Sequence, residues 1–196
     1  MVSETKRFHL ALPALPALPA RPVASAADRL STMFHHHYDF VWRSVRRLGV
    51  SPDAVDDATQ EVFVVASRKL DAIEVGKEKA FLFGAAIRVA SDSRRARHRR
   101  RQSASEDQPE PRDATPAAGE LVDQKRAREI LDVMVGQLPE DTRPVFVLFE
   151  LEGLTMAKIA SYLDLPAGTV ASRLRRAREL FAAHVARLEA RSTQHG

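Results

Sequence analysis

The chain has 196 residues, 44% of them hydrophobic, no cysteine and a formal net charge of +4, with an isoelectric point near 9.7. That apolar fraction is enough for folded cores, while the missing cysteine excludes disulfides, thiol nucleophiles and cysteine-ligated zinc. No apolar run approaches the ~18 residues of a membrane helix, and arginine outnumbers lysine, so an anionic partner is expected, nucleic acid first.

Residues 10–20 repeat Ala-Leu-Pro. Proline at every third position breaks the apolar helix that a signal peptide needs, so residues 1–27 are expected to form a disordered extension. A helical pattern begins at Asp28. Leu30, Phe34, Val41, Val45 and Leu48 form its stripe, with Met33 and Tyr38 alongside, and Gly49 stops it. His35, His36 and His37 are adjacent in that helix and point in different directions, so they do not converge on a metal.

Ser51-Pro52-Asp53 predicts a restart, with Ser51 as N-cap and Pro52 at the first helical position. Val55, Ala58, Val62 and Val65 supply the apolar stripe of this second helix. Asp56, Asp57, Gln60 and Glu61 fall away from it. A break spans Asp71–Lys79. A third helix follows from about Ala80, with Phe81, Leu82, Ala85, Ala86, Val89 and Ala90 as its apolar positions. It runs into Arg94–Arg101, which holds six arginines in eight positions. Residues 28–101 thus read as one helical domain with a basic exit.

Residues 102–120 turn acidic and rich in proline and serine, which is the composition of a flexible linker. A chain of that length spans roughly 25 Å on average. A second domain is expected over 121–190. Ile130, Leu131, Met134, Val135 and Leu138 share one helix face; Leu138-Pro139-Glu140-Asp141 marks a stop and a new start; Val145, Leu148 and Phe149 belong to the next helix, ended by Gly153. No stretch alternates as a strand does, so the fold class is all-α: two small helical domains joined by a flexible linker.

Leu154–Arg178 has the pattern of a helix-turn-helix. Thr155 suits the N-cap of its first helix, although Lys158 stands where a capping box wants Glu or Gln. Thr169 suits the N-cap of the second. Val170, Leu174, Ala177 and Phe181 form that helix's core stripe. At about 100° per residue, Ser172, Arg175, Arg176 and Glu179 point away, with Arg173 and Arg178 at the flanks. Arginine on such a face can bridge guanine O6 and N7 or clamp phosphates.

These motifs together resemble an extracytoplasmic-function sigma factor, the small two-domain initiation subunit of bacterial RNA polymerase. Asp56-Asp57-Ala58-Thr59-Gln60-Glu61-Val62-Phe63, then Ala80-Phe81-Leu82-Phe83-Gly84-Ala85-Ala86 and the basic run, are similar to sigma region 2. Gln137-Leu138-Pro139, Leu151-Glu152-Gly153-Leu154 and Gly168-Thr169-Val170 through Arg178 are similar to sigma region 4. The resemblance covers roughly Met33–Gln102 and Ile130–His184.

The resemblance implies partners and roles. Asp56, Asp57, Gln60 and Glu61 would dock on the clamp of core RNA polymerase. Lys79, Arg88, Asp92, Arg94 and Arg95 would meet the −10 promoter element. Thr169, Ser172, Arg173, Arg175 and Arg176 would meet the −35 element. An anti-sigma factor, common in the family, would target apolar faces between the domains. Phe81 replaces a usual tryptophan, Arg88 a common asparagine and Ala171 a common basic residue, which bears on the promoter sequence rather than on function. Enzymes are disfavoured, since no phosphate loop, metal spacing or nucleophile motif occurs. No cofactor is implied, no membrane insertion is expected, and a cytoplasmic location follows from the resemblance. The alternative is a stand-alone helix-turn-helix regulator, whose first half, in a response regulator, would alternate strands and helices.

Overall fold

The computed structural model describes residues 25–103 and 120–194. The expected N-terminal extension and most of the expected linker lie outside the described residues. Within them all regular structure is helical.

Helix α1 spans Ala26–Arg47. It starts ahead of Asp28 because Ser25 and Asp28 form a capping box: the Asp28 amide donates to Ser25 Oγ at 3.1 Å and the Ser25 amide to Asp28 Oδ2 at 3.1 Å. It ends in a Schellman turn. Gly49 donates to the Arg46 carbonyl at 3.1 Å and Val50 to the Val45 carbonyl at 3.3 Å, with Gly49 at φ +94°.

A 3-10 turn, Pro52–Ala54, leads into α2, Val55–Arg68. Ser51 has the extended backbone of a cap but makes no side-chain cap bond, so the proline turn starts this helix and the expected serine cap does not. Helix α3 spans Glu78–Ser103 and carries the basic run as a continuous helix. Val41, Val45, Val62, Ala66, Leu82, Phe83, Ala86 and Ala90 are fully buried where α1, α2 and α3 meet. Burying one side chain the size of Phe83 contributes up to about 3 kcal/mol.

The second half comprises α4 (Glu120–Gly136), α5 (Arg143–Phe146) running on into a π-helical turn (Val147–Leu151), α6 (Met156–Leu163) and α7 (Ala167–Gln194). Thr155 caps α6 as expected, accepting from the Lys158 amide at 3.4 Å. Thr169 does not cap α7. The helix begins at Ala167, and the Thr169 and Val170 amides both bond the Pro166 carbonyl, at 2.9 and 3.1 Å. Pro166, just ahead of the helix, supplies the carbonyl that accepts its first bonds, and Thr169 therefore lies inside the first turn.

The two helical halves pack on one another in this structure. Helix α4 lies on α1 and α6 lies on α3, and the buried side chains form one continuous cluster from Met33 to Ala177. Arg143, 5% exposed, crosses between them. Its Nη1 donates to the Leu48 carbonyl at the end of α1 at 2.8 Å, its Nε to Val135 at 3.1 Å and its Nη2 to Gly136 at 2.7 Å. Gly49 makes room: a Cβ there would meet Arg94 Cδ at 3.2 Å and Arg143 Nη1 at 3.3 Å.

Gly76 also has positive φ, yet a Cβ there would meet nothing within 4 Å. Gly76→Ala should therefore lose about 1 kcal/mol of stability for backbone strain alone, and Gly49→Ala about 2–3 kcal/mol. Urea denaturation of the two variants checks this; equal losses would mean that the arginine pair shifts at no cost.

Candidate nucleic-acid interface

Helix α7 presents its two faces as its periodicity requires. Val170 and Ala177 are fully buried and Leu174 nearly so, with Phe181 packed at a tilt against Phe146, 4.9 Å between ring centroids. Ser172, Arg175 and Arg176 are exposed on the opposite side; Arg173 and Thr169 are half-buried at its edges. The preceding helix α6 is tied in by Ile159, also fully buried. Asp164 closes α6 in a left-handed conformation, φ 51°, which a short polar side chain tolerates. The Leu165 amide then bonds back to Ala160 at 3.0 Å. The outcome is a tight corner that packs one face of the N-terminal half of α7 on the bundle and leaves the opposite face, with Ser172, Arg175 and Arg176, in solvent.

The arginines of α7 are not equivalent. Arg175 makes only a 3.9 Å contact with Glu179, both largely exposed, and Arg176 a 3.9 Å contact with Asp141. Exposed pairs at that distance hold little energy, so both guanidiniums can turn to a groove. Arg178 is held more firmly, with Nε 2.6 Å from Glu150 and its guanidinium 5.0 Å from the Phe149 ring.

The residues expected at the −10 element divide in the same way. Arg88, Asp92 and Arg95 are exposed on α3, Arg95 and Asp92 making a loose 4.0 Å pair. Lys79 and Arg94 are engaged by the other half of the chain. Lys79 Nζ lies 3.7 Å from Glu152 and 4.2 Å above the Phe40 ring. Arg94 Nη2 lies 2.7 Å from Glu140, and its Nη1 bonds the Leu48 carbonyl. The Arg94 hydrogen bond holds the Glu140 carboxyl below its ordinary range. Burial, helped by the charge of Arg94, pushes the Arg143 guanidinium down to about 10, still well above neutrality.

Asp56, Asp57, Gln60 and Glu61 are all exposed along α2. The first three border a groove of about 480 Å³ between α1 and α2, with Leu30, Phe34, Tyr38, Phe63 and Val64 as its apolar lining; Glu61 stands outside it. Trp42 fixes one wall, its indole N–H donating to Asp56 Oδ1 at 2.8 Å. Phe34 corrects the periodicity reading, which put it on the core stripe. It is 41% exposed and its ring packs at a tilt against Phe63 and Tyr38, 4.8 and 5.1 Å between centroids. An aromatic i, i+4 pair at the edge of a stripe was the available signal. His35 and His36 each bond the backbone carbonyl four residues earlier, at 2.8 Å.

Helical fold, helix-turn-helix corner and free arginine face define a two-part, all-helical DNA-binding protein. The family description Sigma-70 region 2 fits residues 33–100, and Sigma-70, region 4 fits residues 128–181. The ECF RNA polymerase sigma-E factor of Escherichia coli K12 is 34% identical over 136 residues, 64% of this chain and 70% of that protein. The SigE factor of Mycolicibacterium smegmatis is 28% identical over 166 residues, 83% of this chain but 63% of the relative's length. The chain belongs to the extracytoplasmic-function (ECF) RNA polymerase sigma factors. Among solved structures, CnrH in complex with the cytosolic domain of CnrY superposes with a TM-score of 0.57 at 23% identity, covering 82% of this chain and 94% of that one. The sigma factor RpoE of Bartonella quintana, solved with the anti-sigma factor NepR, gives 0.58 at 22%, covering 77% and 92%. Both share the fold.

Arg175→Ala should flatten the salt dependence of duplex DNA binding by about one unit of slope, as expected for one lost phosphate contact. Arg178→Ala, whose guanidinium is already occupied, should change it by less than half as much. Fluorescence anisotropy across a salt series distinguishes them.

Proposed function

We propose that this sigma factor reads the −35 element with α7 and the −10 element with the start and basic half of α3, while the groove between α1 and α2 holds core RNA polymerase. The carrying observation is the exposed Ser172, Arg175 and Arg176 face on a helix whose other side is fully packed. A helix in the major groove needs long donors on a rigid support. Thr169 and Arg173 flank that face. On α3, Arg88, Arg95 and the arginines beyond supply a cationic track for the strand backbone.

The groove supports the polymerase assignment by its chemistry. Its aromatic lining suits an apolar helix face, and Asp56, Asp57 and Gln60 on its border suit basic residues beside that face. The protein acts by binding, with catalysis left to the polymerase, and works in the cytoplasm where the template is. Among the described residues no helix is long and apolar enough to cross a membrane. An anti-sigma factor, as in the Bartonella complex, is a further partner in this reading. The stand-alone regulator is the less supported alternative, since it gives the groove no occupant.

Run-off transcription with core polymerase on the chain's own upstream DNA tests the reading. Defined transcripts that require the protein, and that fall at least ten-fold in Arg175→Ala/Arg176→Ala, are expected. Asp57→Arg should weaken capture of core polymerase at least ten-fold, measured by gel filtration or interferometry, while binding of the variant to duplex DNA stays within two-fold of wild type. Absence of both transcripts and core binding would remove the sigma-factor mechanism and leave a regulator.

A further inference from the structure

The first turn of α1 is tied to the connection between α2 and α3. The capping box at Ser25 sets the backbone of that turn, in which the Arg29 amide bonds the Ser25 carbonyl at 2.9 Å. The half-buried Arg29 side chain crosses from there to the connection. Its Nη1 donates to the Leu70 carbonyl at 3.0 Å and its Nη2 to the Ile73 carbonyl. These carbonyls stand at the two ends of the 3-10 turn Leu70–Ala72, which the Ile73 amide closes on Leu70 at 3.2 Å. Glu78 Oε1, in the first turn of α3, lies 3.9 Å from the same Arg29 Nη2.

One guanidinium thus holds both sides of the short stretch 74–77. Leu70 and Ile73 are buried, and beyond them the chain turns outward until Val75 is 87% exposed. The Lys77 amide bonds the Glu74 carbonyl at 3.0 Å. The Glu74 and Lys77 side chains pair at 2.6 Å, both largely exposed, and such a pair contributes little. A Cβ on Gly76 would meet nothing within 4 Å. The turn therefore takes its placement from its two ends, and Arg29 bonds both.

We propose that Arg29 is a positioning residue for −10 recognition. From α1 it clamps the entrance of the 74–77 turn and its exit onto α3, so that Val75, Lys77 and Lys79 meet the promoter from a fixed base. The planar fork of arginine can bond two carbonyls and face a carboxylate at once, which the point charge of lysine cannot. Phosphate contacts carry no sequence information directly, whereas base contacts depend on groups that hold the contacting residues in place. Loosening the clamp therefore costs selectivity among −10 sequences more than affinity for DNA. The inference rests on the reading that the start of α3 meets the −10 element, and its test separates the two.

Holoenzyme made from core RNA polymerase and the full chain is run on a promoter mapped by run-off transcription, with its −10 region randomised, and transcribed templates are counted by sequencing. The ratio between the best and worst base at the most selective position should fall about five-fold in Arg29→Met. Such a ratio is independent of how much active holoenzyme is present, so lost stability alone does not move it. Arg29→Lys, which keeps the charge but not the fork, should fall nearly as far. Amide exchange over residues 73–78 should quicken in both variants, and binding of duplex −35 DNA should stay within two-fold of wild type. A wild-type base profile in Arg29→Met, or one restored in full by Arg29→Lys, overturns the clamp, and so does unchanged amide exchange. If Lys79→Ala/Arg88→Ala alters the profile while Arg29→Met does not, the clamp falls alone and the −10 reading stands. A profile indifferent to Lys79→Ala/Arg88→Ala overturns the −10 reading of α3 and the role of Arg29 with it.

Discussion

The buried guanidinium of Arg143 at the end of α1 is the constraint on which the arrangement of the two halves depends. A charge that far from water is costly unless its donors are met. Here carbonyls meet them: Leu48, Val135, Gly136 and Leu138. These lie at the C-terminal ends of helices α1 and α4, where carbonyls run short of amide partners and carry the negative end of each helix dipole, although Val135 also accepts from the Leu138 amide at 3.1 Å. One side chain thus ties off two helix termini and sets the corner from which α5 departs. Burial, with the charge of Arg94 beside it, is why its proton is held less tightly than usual.

Glycine makes that knot possible. Gly49 adopts a conformation that a side chain resists and leaves the space through which both arginines reach Leu48. With the corner set, α6 is brought onto α3 and Glu152 onto Arg47 and Lys79. The interface that results is mixed. A continuous apolar cluster supplies attraction without direction, and the ion pairs around it supply register. Lys79 and Arg94 are drawn into that register, Lys79 by Glu152 and Arg94 by Glu140.

The two exposed working faces are built on different principles. On α7 the face is polar and its support is the fully packed stripe of Val170, Leu174 and Ala177. Rigidity of the helix makes positions of the arginines predictable, and their loose pairing with Glu179 and Asp141 leaves them available. In the groove between α1 and α2 the order is inverted. The groove's lining is largely aromatic and the polar residues form its border, with Asp56 held by Trp42. Phe34 is left partly in water there although its neighbours Met33 and Val41 are buried, and exposed aromatic surface of this kind is what a partner covers.

The helical class, the helix-turn-helix and the split of α7 into packed and free faces were all legible in the sequence, because helix periodicity is local and side chains at i, i+3 and i+4 must share a face. The acidic and amide face of α2 was legible for the same reason. Local rules failed where two chemistries compete for one backbone group: Ser51 and Thr169 looked like caps, yet proline turns start both helices. Only the tertiary structure decided what Phe34, Glu152, Arg143, Lys79 and Arg94 do. Phe34 fits the stripe of α1, yet it lines the open groove between α1 and α2 and stays 41% exposed. The others interact across 46 to 105 positions of sequence, and periodicity says which face a residue occupies but not which distant helix end or carboxylate will stand opposite it.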